Sequence, residues 1–242
     1  MTLNKENKEY YKHIISHALK TPEEEVCGII YLNNSLIVNV SPQLNLSIDK
    51  KNNFEVSSKA ILSTKNILGI YHSHPFTDEQ PSEYDKANSE ELGIPFLIYS
   101  LVTEKFFLYI PNSMKPAPLS GRPYVKGFYE CVNIPRDWYS ANCKWFNLDY
   151  SLFNYFPSLN GSIANKYMLK IFDNNFLKIK DTSDVRKNDT LIFKMPNEDV
   201  FHAGICSDTD KFFHQKAHHL SGEDMLDSRW QKKIIRIYRP IS

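Results

Sequence analysis

Two rhythms of apolar residues divide the chain before any of its chemistry is considered. From Asn7 to Leu19, NKEYYKHIISHAL, apolar side chains recur at helical spacing. VCGIIYLNNSLIVNV, residues 26–40, holds two β-rich runs around Asn33-Asn34, a hairpin signal. SSKAILSTKN predicts a short helix with a serine cap, and ILGIYH a buried strand ending at His72. PSEYDKANSEEL begins a helix at Pro81-Ser82, after which IPFLIYSLVT and KFFLYI complete a sheet. The first half thus reads as α/β. The second half opens on a helix at ECVNIPRDWYSAN and continues with strand-like runs TLIF, VFHAGICS, KFFHQ and KIIRIYR. Helix first and sheet later is an α+β order.

Between the halves, PNSMKPAPLSGRP (111–123) carries four prolines and no apolar alternation, which predicts a linker. The expected organisation is two different domains, 1–110 and 124–242, each near the common domain size.

Composition narrows the function classes. Lys plus Arg (29) nearly balances Asp plus Glu (28), so no long-range field favours nucleic acid or an anionic membrane. The longest apolar run, IPFLIYSLV, is too short to span a bilayer, which predicts no stable membrane insertion. The N-terminus lacks a signal-peptide pattern, and the four cysteines form no C-x-x-C pair. They read as reduced thiols of a chain made in a cytoplasm.

The densest chemistry lies in YHSHPFTDEQPSEYD, residues 71–85. His72 and His74 alternate at a strand end, so both side chains share one face. Asp85, in the first turn of the following helix, can swing back toward that strand end. Two imidazoles and a carboxylate make a three-ligand set for one zinc ion, leaving a fourth position for water. Zinc lowers the pKa of such a water from ~15.7 to about 7. Proton transfer then needs a base, and Glu25, just before a strand, is the candidate.

Glu25, H-x-H-P at 72–75, and S-x-x-D at 82–85, set in EVCGII and GIYHSHP, resemble the JAMM (MPN-plus) metalloprotease family. The resemblance spans about residues 5–110. It implies a JAMM-type α/β sheet with helices, zinc on His72, His74 and Asp85, Glu25 as base, and Ser82 steadying a tetrahedral oxyanion. The implied reaction is amide or isopeptide hydrolysis.

In the second half, Cys131 stands where a predicted helix begins, and the helix dipole there favours a thiolate. His202 and His214 fall on successive strands, with a turn (SDTD) suited to align them. A thiolate, a base and a group orienting that base form a nucleophile triad. Cys143 and Cys206 read as small buried hydrophobes, His218 and His219 as loop residues.

ECVNIPRDWY, NDTLIF, FHAGI and FFHQ resemble the NlpC-type papain-like peptidases, which cleave peptidoglycan stem peptides. That resemblance spans about 122–240 and implies a papain-type α+β domain with Cys131 as nucleophile, His202 as base and His214 orienting it. Glu130 stands where that family has Asp, and Asn133 where glycine is common.

The two domains in this order resemble the tail assembly protein K family of lambda-like phages. That resemblance implies a tail-tip peptidase made in the host cytoplasm, carried in the virion tail tip and acting at the bacterial cell wall. Its partners would be peptidoglycan stem peptides and other tail tip proteins. Two alternatives stand beside it: a structural tail assembly factor with a degenerate second site, and an isopeptidase for a ubiquitin-like tag.

Overall fold

The computed structural model describes residues 9–115, 118–146, 149, 153, 161–195, 201–217 and 219–241. Expectations that fall on Asn7, Lys8, Pro116, Ala117, Val200 and His218 lie outside the described residues. The fold is mixed α+β, in two compact units, one on residues 9–115 and one on 118–241.

The first unit opens with helix α1 (Tyr10–Lys20), whose Tyr10, Ile14 and Ala18 are buried at i, i+4 and i+8. Strands β1 (Cys27–Leu32) and β2 (Val38–Gln43) form the hairpin, closed where the Asn33 carboxamide oxygen accepts from the amides of Ser35 and Ile37. Helix α2 (Ser58–Ser63) follows Ser57, whose side chain makes no cap bond, contrary to the expected serine cap. Strand β3 (Ile67–His74) runs two residues beyond the expected end, buried along almost its whole length. Helix α3 (Glu83–Leu92) crosses to β4 (Phe96–Ser100), and β5 (Phe106–Tyr109) turns back. The sheet order is β2-β1-β3-β4-β5, antiparallel except for the β3–β4 pair that the helix connects. Cys27, Ile29, Phe54, Val56, Ile70 and Phe96 form one core cluster.

Gly28 is required where β1 meets β3. A Cβ there would lie 2.4 Å from the Tyr71 ring and 2.6 Å from the Ser41 carbonyl oxygen. The close approach holds the register in which Cys27 faces His72 and Gly28 faces Tyr71.

The second unit contains helix α4 (Asn133–Asn142), helix α5 (Gly161–Asn175) and an antiparallel sheet. Its strands are β6 (Phe176–Ile179), β7 (Thr190–Lys194), β8 (Phe201–Asp208), β9 (Lys211–His214), β10 (Gly222–Met225) and β11 (Ile234–Pro240), with a short helix α6 (Ser228–Gln231) before the last. Sheet order is β10-β9-β8-β7-β11-β6. Leu191, Phe193, Cys206, Phe212, Leu226, Ile234 and Ile237 fill one core. Helix α4 is stitched to the turn before β7: Trp138 Nε1 donates to the Asn188 side chain at 2.9 Å, and the Tyr139 hydroxyl lies 2.7 Å from Thr190 Oγ1.

Elements α5, β6, β10 and α6 go beyond the sequence expectation. In α5 the buried Met168, Ile171 and Phe172 keep helical spacing, and Phe172 stacks on Tyr238. Strand β10, GEDM, alternates half-buried and exposed residues with little apolar content, so periodicity alone does not mark it.

The described ends of the proline-rich segment each hold to a unit. Glu90 of α3 accepts from the Asn112 and Ser113 amides, while Arg122 is buried, its amide donating to Ser221 Oγ and its carbonyl accepting from the Ser221 amide.

Candidate functional site

The antiparallel register assembles the first constellation. Cys27 faces His72, and one step further Val26 and Ser73 exchange hydrogen bonds: Ser73 N donates to the Val26 carbonyl and Val26 N to Ser73 Oγ. Glu25 lies two residues before β1, close enough to His74 and Asp85 for their charges to act on it, and His72 and His74 share one face of the sheet. Forty-seven residues of sequence separation (72 − 25) are closed by strand pairing.

Asp85 arrives from α3. Ser82 is the helix N-cap in a reciprocal capping box, its Oγ accepting from Asp85 N at 3.1 Å while the Ser82 amide donates to Asp85 Oδ2 at 2.8 Å. The box turns the carboxylate back onto the strand end. Asp85 Oδ1 lies 3.3 Å from His72 Nε2, Asp85 Oδ2 3.6 Å from His74 Nε2, and the two Nε2 atoms 3.1 Å apart. Among the described residues His72, His74 and Asp85 form a group that could hold a metal ion, all three buried.

The donor chemistry fits such an ion. His74 Nδ1 lies 2.6 Å from the Asp78 carbonyl oxygen, so it carries the proton and leaves Nε2 as a lone-pair donor facing the cluster. The loop supplying that carbonyl is itself tied down, since Ser100 Oγ donates to the Thr77 carbonyl at 2.7 Å. His72 lies stacked on Phe54 at 4.2 Å, which fixes its ring plane.

Charge states follow from burial and neighbours. Burial disfavours ionised Asp85, but the charge of His72 and hydrogen bonds from His72, His74 and Ser82 outweigh it and hold the carboxyl well below the usual range. Glu25 goes the other way. Burial pushes it up to about 8, against a downward pull from His74 and with a further upward push from Asp85 and Asp49.

The Ser82 hydroxyl donates to Asp85 Oδ2 at 2.7 Å, so in this geometry it orients that carboxylate. Asn45 is a residue that sequence reading missed. Buried beside the base, it donates to the Glu25 carbonyl at 2.8 Å and the Asn53 carbonyl at 3.0 Å, and accepts from the Ser47 and Glu55 amides. The only sequence signal was an asparagine among Leu44, Leu46 and Ile48 in a segment without regular structure.

The second constellation forms on β8 and β9. Gly204 pairs with His214, and a Cβ on Gly204 would meet the Phe213 carbonyl oxygen at 2.9 Å. His202 Nε2 lies 2.8 Å from His214 Nδ1. His214 Nε2 continues to Asp224 Oδ2 on β10 at 3.0 Å, a contact invisible in the sequence because β10 lacks a strand pattern. Trp230 packs edge-on against His214. The Ala203 amide bonds the Cys131 thiol, which places the sulfur beside the residue after His202.

Cys131 departs from its expectation in one respect. Helix α4 starts at Asn133, two residues later, and burial pushes the thiol up to about 11 with Glu130 adding to it, against the amides of Ala203, Val132 and Cys131. Burial likewise pulls His202 down to about 3 and His214 to about 4, so both imidazoles are neutral at pH 7. Cys143 and Cys206 are buried, and His219 lies in a loop.

Asn133, one of the two positions that depart from the NlpC-like pattern, has a local role. Asn133 Oδ1 accepts from the Glu130 amide at 2.7 Å, closing the turn that holds Cys131. Asn188 precedes β7 at φ +74°, a left-handed conformation asparagine tolerates better than most residues. Behind the site, Asp137 is completely buried between the Arg122 and Arg136 guanidiniums.

Residues 7–116 match the family of prokaryotic homologs of the JAB domain. The chain is also 25% identical over 234 residues to a tail tip assembly protein K of Escherichia phage N15, covering 93% of this chain and 92% of that protein. A solution structure of a protein from Desulfitobacterium hafniense aligns at 25% identity over 44% of this chain and 81% of its own, with a TM-score of 0.33. No helix among the described residues is long and apolar enough to cross a membrane.

Proposed function

We propose that this chain is a phage tail-tip component with two hydrolytic centres, a zinc-dependent amide hydrolase in the first unit and a cysteine peptidase in the second. The observation that carries the reading is the convergence of His72, His74 and Asp85 on one point, with the buried Glu25 near enough to feel the charges of His74 and Asp85. The similarity to a phage tail tip assembly protein over most of both chains supports the setting.

In the first unit His72, His74 and Asp85 would hold one zinc ion, which when bound supplies a Lewis acid and an acidified water. Glu25, whose pKa is raised to about 8 in the metal-free site, would be favoured in its ionised form by the charge of a bound zinc, and in that form would accept a proton and return it to the leaving amine. Ser82 keeps Asp85 turned toward the two histidines. In the second unit Cys131 would attack the carbonyl carbon as its proton passes to His202, the amine would leave with that proton, and water would then hydrolyse the thioester and restore the thiol. The substrate class is the stem peptides of peptidoglycan, cut during host entry or tail assembly, with other tail tip proteins as partners.

Purified muropeptides test the reading, with the full chain as wild type, Glu25→Gln and Cys131→Ala and products read by mass spectrometry. Cleavage by wild type that each variant alters at a different bond supports two centres. Absence of cleavage by zinc-loaded, reduced wild type refutes the enzymatic reading. A structural second unit is a second reading, favoured by the elevated Cys131 thiol and by Asn133 and Glu130. It predicts that only Glu25→Gln changes the products. Cleavage of ubiquitin-like chains instead of muropeptides would move the assignment to an isopeptidase.

A further inference from the structure

We propose that Asp224 is a positioning residue that sets the proton placement on both histidines and thereby leaves Nδ1 of His202 as the base for Cys131. The inference rests on the proposed nucleophile role of Cys131.

The argument is one of donors and acceptors along a single chain of contacts. Asp224 Oδ2 lies 2.8 Å from Lys216 Nζ and 3.0 Å from His214 Nε2. Burial works against ionised Asp224, but hydrogen bonds from Lys216 and His214 and the charge of Lys216 outweigh it and keep its pKa below the usual value. An ionised carboxylate only accepts, so His214 must carry hydrogen on Nε2. A neutral imidazole carries one such hydrogen, so His214 Nδ1 can only accept. Its neighbour at 2.8 Å, His202 Nε2, must then donate. His202 consequently has its hydrogen on Nε2 and a bare lone pair on Nδ1.

That lone pair takes the thiol proton: the S–H bond of Cys131 breaks, an N–H bond forms at His202 Nδ1, and the thiolate and imidazolium remain as a pair. The new charge on His202 is met through His214 by the Asp224 carboxylate. Charged or titratable groups acting on the histidines are Lys216, Lys233, His219 and Asp224, the lysines also lying over the Trp230 ring. Protonation of His214 would make both its nitrogens donors and force the hydrogen of His202 onto Nδ1, which removes the base at low pH.

The test uses the full chain and needs no peptide substrate. Iodoacetamide modification of Cys131 is followed by peptide mass spectrometry from pH 5 to 10 in wild type, His202→Ala, Asp224→Asn and Asp224→Glu. Inverting a histidine tautomer in a hydrolase triad lowers turnover by about 10⁴, so an effect of roughly tenfold or more on thiol reactivity at pH 7 is expected for Asp224→Asn. Asp224→Glu should recover most of the rate. Nitrogen-15 NMR of the wild-type imidazoles should show His202 and His214 both protonated at Nε2. Wild-type reactivity and pH profile in Asp224→Asn would overturn the inference while a slow His202→Ala leaves the nucleophile reading standing. A His202→Ala protein as reactive as wild type would remove that reading and the inference together. Should Asp224→Asn fail to fold, the wild-type spectrum decides, and a proton on His202 Nδ1 overturns the proposal.

Discussion

Replacing Asn45 by alanine should release Glu25 without touching His72, His74 or Asp85, the proposed metal ligands. The buried carboxamide makes four hydrogen bonds, to the carbonyls of Glu25 and Asn53 and from the amides of Ser47 and Glu55. At about 1 kcal/mol net for each bond, the upper figure is about 4 kcal/mol. Ser47, Asn53 and Glu55 are within reach of water, whereas Glu25 is 6% exposed, so the expected loss is roughly 2 kcal/mol. For a unit near 100 residues that lowers the midpoint of thermal unfolding by roughly 8–15 °C. Calorimetry of the full chain measures the shift, and hydrogen exchange at Ser47 and Glu55 locates it. His72, His74 and Asp85 are held by β3 and α3, so bound zinc should stay unchanged while amide hydrolysis by the first unit falls. Asn45→Asp keeps the two accepted bonds but sets a buried carboxylate oxygen against the carbonyls of Glu25 and Asn53, so it should lose at least as much. A midpoint within 2 °C of wild type, or unchanged protection at both amides, would refute the idea that Asn45 pins the base.

Other perturbations report on the second unit and the sheet register. Unfolded histidine titrates near 6.5 while His202 and His214 titrate at about 3 and about 4 in the fold, so between pH 6.5 and 4 the unfolded chain binds more protons. Stability contributed by keeping them neutral is present above pH 6.5 and lost as pH falls, by at most about 1.4 kcal/mol per pH unit for each histidine. Urea midpoints across this range should fall, and less so in His202→Asn; a flat profile contradicts the burial argument. Asp137→Ala leaves the Arg122 and Arg136 guanidiniums without their shared carboxylate and should destabilise by about 3–5 kcal/mol, measured by denaturant unfolding, with a loss under 1 kcal/mol arguing against it. Gly28→Ala drives a Cβ into the Tyr71 ring and a backbone oxygen, an overpacking of about 1–3 kcal/mol that equal melting curves would exclude.

The grouping of His72, His74 and Asp85 was legible because its parts are local. His-x-His at a strand end and a serine-capped aspartate three residues on leave few ways to arrange the side chains. Glu25 stands far from the histidines in sequence, and the Val26–Ser73 hydrogen bonds bring the segment that follows it beside β3. Asn45 and Asp224 were not legible: each acts through contacts to residues distant in sequence or on strands without apolar alternation. The dipole argument for Cys131 saw the nearby helix but not the burial, and burial dominates the thiol. Strand β10 shows the same limit, since pairing to β9 places GEDM in the sheet despite its polar composition.

The account stands most directly on metal stoichiometry. Full-length protein dialysed against excess zinc and then metal-free buffer should retain one zinc per chain by plasma mass spectrometry, and His72→Ala should retain close to none while keeping its fold by circular dichroism. Wild type that holds no zinc, or a folded His72→Ala that still holds one, would contradict it.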